Sequence, residues 1–434
     1  MSFGGAVRRL GFRVRDAVKF ARADRVCTQW KEIEETLADA ASGRVRVEAS
    51  LRECLDFAAS QSPFFRPYAG RPLSAFPVLN KLDFLAHYDE IRTDAFRTAS
   101  VWTMSTSGST GTPFRVVQNL AKRNRVLAEL KYFGALAGYE SHEEMFFFRA
   151  RPKARRAAMF WSNVRQKDIL TLGEADCERI FAEQSDPALR GVLAYASTYD
   201  VLTEYWLRRG YSGNPNVRAV ISMSSYLTEG ARTRAAQFWP NAKVVSRYSN
   251  QENGLLAQET GKADLFRPNW ASYWFEVLKF DSDEPAAEGE QGRIVITDMF
   301  NRAFPMIRYD NGDVGSLVRG PDGWLWLADI AGRRIDLIFS TTGETVSPHA
   351  ISRTLDGALG IRQWQFLQNG ACAYAVKYVP GDEGFTACAE DRRAREDGLR
   401  ELLGRGAEIT WERVGEIPVL ASNKRKVTVQ NWRK

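Results

Sequence analysis

The sequence predicts an α/β protein of more than one domain, and three observations carry that expectation. Its 434 residues exceed the roughly 250–300 at which a single hydrophobic core stops growing. From about residue 101 to 249, strand-like runs alternate with helical ones, which favours a layered, largely parallel sheet flanked by helices. After residue 254 the texture becomes short strands with turns, and near 331–335 it changes again.

Taken in order, "VWTM" (101–104) reads as a strand that runs into a hydroxyl-and-glycine stretch. "AKRNRVLAELKYFGALAG" (121–138) has helical periodicity and good helix formers. "EMFFFRA" (144–150) reads as a buried strand. "GVLAYASTYDVLTEYWLRRG" (191–210) reads as a strand or turn followed by a helix ending at Gly210. "VRAVISM" (217–223) is a strand, "TEGARTRAAQFWP" (228–240) a helix with Thr228 as its N-cap, and "AKVVSRYS" (242–249) another strand. The runs "SYWFEVLKFD", "GRIVITD" and "WLWLADI" suggest a twisted β-rich subdomain with hairpin connections. From "AGRRIDLIF" (331–339) a third segment of about a hundred residues closes with the lysine-rich "NKRKVTV".

The hydrophobic fraction of 44% and charged fraction of 26% are those of an ordinary soluble globular chain. No run approaches the ~18 apolar residues of a membrane span, and "MSFGGAVRRLGFRVRD" contains no apolar signal core, so a cytoplasmic protein is expected. Five scattered cysteines (Cys27, Cys54, Cys177, Cys372, Cys388), with no C-x-x-C pair, read as reduced thiols. Three histidines (His87, His142, His349) argue against a multi-histidine metal centre. The net charge is +7, and part of the excess lies in Val7–Arg25. That segment reads either as a solvated helix or as a basic amphipathic helix contacting an anionic membrane or polyanion. Aromatics are not interleaved with the basic residues as a nucleic-acid stacking platform requires, so nucleic acid is not an expected partner.

Chemistry concentrates in three stretches. "STSGSTG" (Ser105 to Gly111 within Thr103–Phe114) offers hydroxyls, inward N–H groups and glycine freedom, the ingredients of a phosphate cradle between a strand and a helix. A flexible surface turn is the other reading. No Walker loop occurs anywhere in the chain, and a nucleophile elbow would need glycine where Ser107 stands. "RYSNQENG" places Glu252 among amides and hydroxyls just past a strand, where a lone carboxylate can hold a Mg²⁺ carrying phosphates. A surface turn with a helix-capping glutamate explains the segment equally, and Tyr248 is placed to stack on a base. "FPMIRYDNGDVG" contains Asp310 and Asp313 around a D-N-G sequence, read either as a hairpin turn or as a diol-binding site at Asp313.

In order along the chain, "TSGSTGTP", "RYSNQE", "RYDNGD", "GRRIDLI" and a C-terminal lysine segment resemble the adenylate-forming superfamily of acyl-CoA synthetases and adenylation domains. The likeness is strongest to phenylacetate–CoA ligases and their capsule-biosynthesis relatives, because "SPFFRPYAG…FPVLNKLDF" is similar to that branch's entry segment. It covers residues 62–429. The resemblance implies a large N-terminal domain (residues 1–331) of layered mixed sheets flanked by helices plus a β-rich subdomain. It also implies a small mobile α+β C-terminal lid (residues 332–434). Ser105, Thr106, Ser107, Gly108, Ser109, Thr110 and Gly111 would cradle the β- and γ-phosphates of ATP. Tyr248 would pack on adenine, Glu252 coordinate Mg²⁺, Asp313 bind the ribose with help from Arg333, and Lys424 bridge the acid and the α-phosphate.

The sequence departs from the family at several of these points. Gln251 stands where a hydroxyl is usual, and its amide still donates to phosphate. Asn423 replaces the glycine before the lysine, and Lys426 is the alternative to Lys424. Asp336 stands in for the hinge acid missing at Ile335. The activity implied is ATP-dependent activation of a carboxylic acid, aromatic or apolar, as acyl-AMP with release of pyrophosphate. Transfer to a thiol such as coenzyme A follows. An amine acceptor and a non-catalytic nucleotide-binding relative are the alternatives, and the assembly state, homodimer included, is open.

Overall fold

The computed structural model describes residues 3–22, 24–105, 114–149, 163–168, 172–333, 337–346, 348–356, 360–381, 389–418 and 426–432. The chain forms two compact units, Met1–Glu143 with Arg247–Ile330, and Glu144–Ser246 with Ala331–Lys434. The first unit opens with three helices, α1 (Phe3–Ala21), α2 (Arg25–Ala38) and α3 (Ala40–Gln61). The Asp24 and Asp39 carboxylates accept the Val26 and Ser42 N–H groups at the starts of α2 and α3, filling orphan donors of each first turn. There follow β1 (Leu79–Asn80), α4 (Lys81–Ala86), α5 (Tyr88–Ile91), β2 (Trp102–Ser105), β3 (Arg115–Gln118) and α6 (Leu120–Leu136). Asn80 and Asp83 form a reciprocal capping box on α4.

The hydroxyl-rich stretch does not pass from strand to helix as the sequence predicts. It joins β2 to β3 as an antiparallel pair, with Ser105 opposite Arg115. The short apolar run around Val116 and Val117 suits a strand, and both side chains are buried against Phe84, Phe114 and Tyr309. Helix α6 is inverted relative to a surface helix. Lys122, Arg125 and Glu129 are fully buried, while Leu127 and Leu130 are exposed. Lys122 Nζ meets Asp298 Oδ2 at 2.7 Å and Tyr273 Oη at 2.9 Å, a paired burial that desolvation alone would not permit.

The second unit contains β4 (Glu144–Arg149), β5 (Val164–Asp168), α7 (Glu174–Gln184), β6 (Leu189–Tyr195), α8 (Ala196–Arg208), β7 (Ala219–Met223) and α9 (Glu229–Phe238). The pairs β5–β4, β4–β6 and β6–β7 are all parallel, as the alternating pattern predicts. Thr228 caps α9 by accepting the Ala231 N–H at 3.2 Å. Trp206, Phe238 and Trp239 interlock beneath the strands, the first two rings stacked at 4.8 Å.

Strand β8 (Lys243–Asn250) leads back into the first unit. There follow β9 (Gly254–Glu259), β10 (Leu265–Pro268), β11 (Tyr273–Leu278), β12 (Gly292–Asp298), β13 (Tyr309–Arg319) and β14 (Leu325–Arg333), with β9–β10, β10–β14, β11–β12 and β12–β13 paired antiparallel. β1 adds to β13 in parallel. The final segment of the second unit holds β15 (Ile338–Phe339), β16 (Thr345–Val346), α10 (Pro348–Leu355), β17 (Ile361–Gln368), β18 (Ala373–Pro380), α11 (Ala389–Leu403), β19 (Glu408–Arg413) and β20 (Thr428–Gln430). Its sheet, ordered β19-β18-β17-β20, packs Phe366, Tyr374 and Val376 against Ile351 of α10 and Leu399 and Leu403 of α11. The cysteines at 27, 54, 177 and 372 are free thiols. Among the described residues no helix is long and apolar enough to cross a membrane.

Candidate functional site

The turn between β8 and β9 is built by amides. Asn253 N–H donates to Asn250 Oδ1 at 2.8 Å, and Asn250 Nδ2 donates to Asn253 Oδ1 at 3.1 Å, which closes residues 250–253 on themselves. Gln251 and Glu252 are thereby placed at the tip, Gln251 exposed and Glu252 half-buried. A strand follows rather than a helix, so the helix-capping reading of Glu252 does not hold. Gly254 has φ +133°, and a Cβ there would lie 2.8 Å from Tyr273 Oη, so glycine is required on both counts.

The D-N-G sequence is not a hairpin turn. It lies inside β13, where the pairing with β12 jumps from Arg293–Val314 to Val295–Asp310. One residue of β12, Ile294, therefore lies opposite three of β13, Asn311, Gly312 and Asp313, a bulge whose Gly312 adopts φ +83°. Local turns hold it: Gly312 N–H donates to Asp310 Oδ1 at 2.9 Å, and Asp313 N–H to Asn311 Oδ1 at 3.0 Å. Asp310 is then taken up by Arg293, whose Nη1 lies 3.1 Å from Oδ2. Arg308 is structural too, with its buried guanidinium bidentate to Glu276 and bonded to the Phe76 carbonyl at 2.9 Å.

Asp313 has a different partner. Tyr248 Oη donates to Asp313 Oδ2 at 2.7 Å, and Asn311 Nδ2 donates to both the Tyr248 oxygen and, at 3.0 Å, the same carboxylate. Residues 65 positions apart thus form one polar cluster. Burial of the hydroxyl, reinforced by the Asp313 charge, raises the Tyr248 pKa well above its ordinary value, so the phenol remains a donor. Asn311 is the member that sequence reasoning missed; its signal was its place between two acids beside a glycine.

A second link joins the hydroxyl-rich hairpin to the glutamate turn. Gln118, at the end of β3 and 1% exposed, donates from Nε2 to the Glu252 carbonyl at 3.0 Å. Asn301 Nδ2 holds the neighbouring Val117 carbonyl at 3.0 Å, and Asp298 Oδ1 accepts the Asn301 N–H. Ser105, exposed at the end of β2, is the first residue of the expected cradle. Thr106, Ser107, Gly108, Ser109, Thr110 and Gly111 lie outside the described residues, as does Lys424. Arg333 ends β14, and its side chain is likewise outside them. Lys426 is described; its carbonyl accepts Gln365 Nε2 at 2.8 Å.

The second unit has a cleft that the sequence reading did not anticipate. It opens at the carboxyl ends of β6 and β7, where ligands of parallel sheets usually sit. Ser225, Tyr226 and Thr228 line it after β7, with Arg234, Asp356 and Arg362. Ser224 takes φ +67°, a left-handed conformation uncommon for serine. Ser225 Oγ and Arg234 Nε are buried there without a hydrogen-bond partner among the described residues. The signal in the sequence was the polar "SSY" directly after an apolar strand.

No protein-family model and no curated protein matches this chain. Solved structures do. A 2-hydroxyisobutyryl-CoA ligase in the postadenylation state with R3-HIB-AMP aligns over 90% of each chain at 15% identity and TM-score 0.72. Apo MatB from Rhodopseudomonas palustris aligns over 75% of this chain and 66% of its own at 16% identity and TM-score 0.51. The anthranilate CoA ligase AuaEII with anthranoyl-AMP aligns over 74% and 65% at 13% identity and TM-score 0.53. Such identities establish a shared fold.

Proposed function

We propose that this chain, which has the fold of the adenylate-forming ligases, activates a carboxylic acid as acyl-AMP with release of pyrophosphate and passes the acyl group to coenzyme A. The observation that carries the reading is the union of Tyr248 and Asp313 into one hydrogen-bonded cluster. These residues were assigned separately to adenine and ribose, and they meet in the fold of acid–CoA ligases.

A carboxylate cannot expel oxide, so attack on the α-phosphorus of ATP converts that oxygen into part of a mixed anhydride with AMP as leaving group. In this scheme Tyr248 packs on the base and orients Asp313, whose carboxylate takes the ribose hydroxyls. Ser105 to Gly111 cradle the departing phosphates and Gln251 adds an amide donor. Arg333 steadies the nucleotide, and Lys424 bridges the acid and the α-phosphate where negative charge accumulates. Among the described residues no group of three His, Cys, Asp or Glu side chains gathers as a metal cage. Glu252, a carboxylate at the tip of the β8–β9 turn between Gln251 and Asn253, would suit the ion that takes one carboxylate plus substrate phosphates and water, Mg²⁺. Bound there, Mg²⁺ supplies charge neutralisation at the phosphate oxygens.

ATP–pyrophosphate exchange across a library of aromatic, aliphatic and hydroxylated acids tests the reading, followed by acceptor trials with coenzyme A and with amines. Exchange with an aromatic or apolar acid and thioester formation is the expected result. Amide formation instead would move the acceptor to an amine. Binding of ATP without exchange by any acid would identify a nucleotide-binding protein that does not turn over.

A further inference from the structure

We propose that α1 docks this protein on a membrane surface bearing anionic headgroups. The helix is oriented the opposite way from a helix that packs by its apolar face. Leu10, Val14 and Val18, at i, i+4 and i+8 on one stripe, are 62%, 54% and 42% exposed. Phe12 and Asp16, on the other side of the helix, face the protein at 4% and 8%.

Polar contacts fix this orientation. Asp16 accepts a hydrogen bond from Ser141 Oγ and pairs with Arg15 at 2.8 Å and with Lys131 at 3.6 Å, while Arg13 Nε donates to His142 Nε2 at 3.0 Å. Lys131 belongs to α6, and on that helix Leu127, one turn earlier, and Leu130 beside it are 46% and 40% exposed.

The charges around the stripe complete the argument. Among the side chains of this segment that the structure describes, Arg13, Arg15, Lys19 and Arg22 stand against one acid, Asp16, which is turned inward and paired. An exposed aliphatic stripe bordered by cations matches the interfacial zone of an anionic bilayer, where alkyl groups enter the acyl boundary and cations meet phosphates. A second copy of the chain fits less well. A two-fold pairing through this stripe would place the same cations against each other.

Cosedimentation of the full chain with vesicles of phosphatidylglycerol and phosphatidylcholine, against phosphatidylcholine alone, tests the proposal. Binding to the anionic vesicles that weakens with added salt is expected. The triple variant Leu10→Glu/Val14→Glu/Val18→Glu should remain in the supernatant. Lys19→Glu/Arg22→Glu, which alters two exposed side chains and leaves the packed face intact, should bind at least about tenfold more weakly. Equal recovery of wild type with and without anionic lipid overturns the proposal. So does a wild-type dimer, seen by light scattering, that the triple variant dissociates.

Discussion

Under the proposed scheme, the Tyr248–Asp313 hydrogen bond would be both structural and functional. Removing only the hydroxyl, in Tyr248→Phe, leaves the ring to stack but frees the carboxylate to rotate. The expected result is a KM for ATP raised by about five- to tenfold, the equivalent of about 1 kcal/mol, with kcat little changed. Asp313→Ala should raise it further. Initial rates of pyrophosphate exchange measure both. The same pair predicts an alkaline dependence. Burial first and the Asp313 charge second raise the Tyr248 value above 10.0. A group whose folded value is raised contributes stability below its unfolded value and loses it as pH climbs through the folded one. Urea midpoints should therefore fall above pH 10, and Tyr248→Phe should flatten that fall.

At the scale of elements, the hairpin β2–β3 and the β8–β9 turn depend on one buried amide. Gln118→Ala removes the donor to the Glu252 carbonyl at a cost of about 1 kcal/mol in stability. Because it lets the two segments drift apart, it should also raise the Mg²⁺ concentration needed for half-maximal exchange, which Gln118→Glu would not restore. Helix α1 depends on Asp16 in a similar way. Burial alone would raise its value, but the Ser141 hydroxyl, Lys131 and Arg15 together bring it below the ordinary 3.8. A lowered carboxylate contributes above its unfolded value and is lost as pH falls through the folded one. The α1 amides should lose hydrogen-exchange protection, corrected for intrinsic rates, below about pH 3.8, and Asp16→Asn should weaken it already at neutral pH.

For the molecule as a whole, the two steps of the proposed reaction would place different demands on the C-terminal lysine. We expect Lys424→Ala to abolish adenylate formation while leaving thioester formation from supplied acyl-AMP largely intact. If Lys426→Ala gives that profile and Lys424→Ala does not, the catalytic lysine is Lys426. Single-turnover assays of the two half-reactions separate these outcomes.

The sequence by itself determined the alternation of β4 to β7 with helices, the capping of α9 by Thr228, and the ordered motifs around Tyr248, Glu252 and Asp313. Each is encoded locally, in periodicity, a capping hydroxyl or a short polar run. Only the tertiary structure decided that β3 precedes α6, that the D-N-G segment is a bulge inside β13, and that Asp310 and Arg308 are structural while Asp313 pairs with Tyr248. It also decided that the Lys122, Arg125 and Glu129 face of α6 is buried and that the aliphatic stripe of α1 is exposed. The reason is the same in every case. Which polar groups are satisfied, and which apolar ones remain in water, depends on partners distant in the chain, and local sequence preferences do not identify those partners.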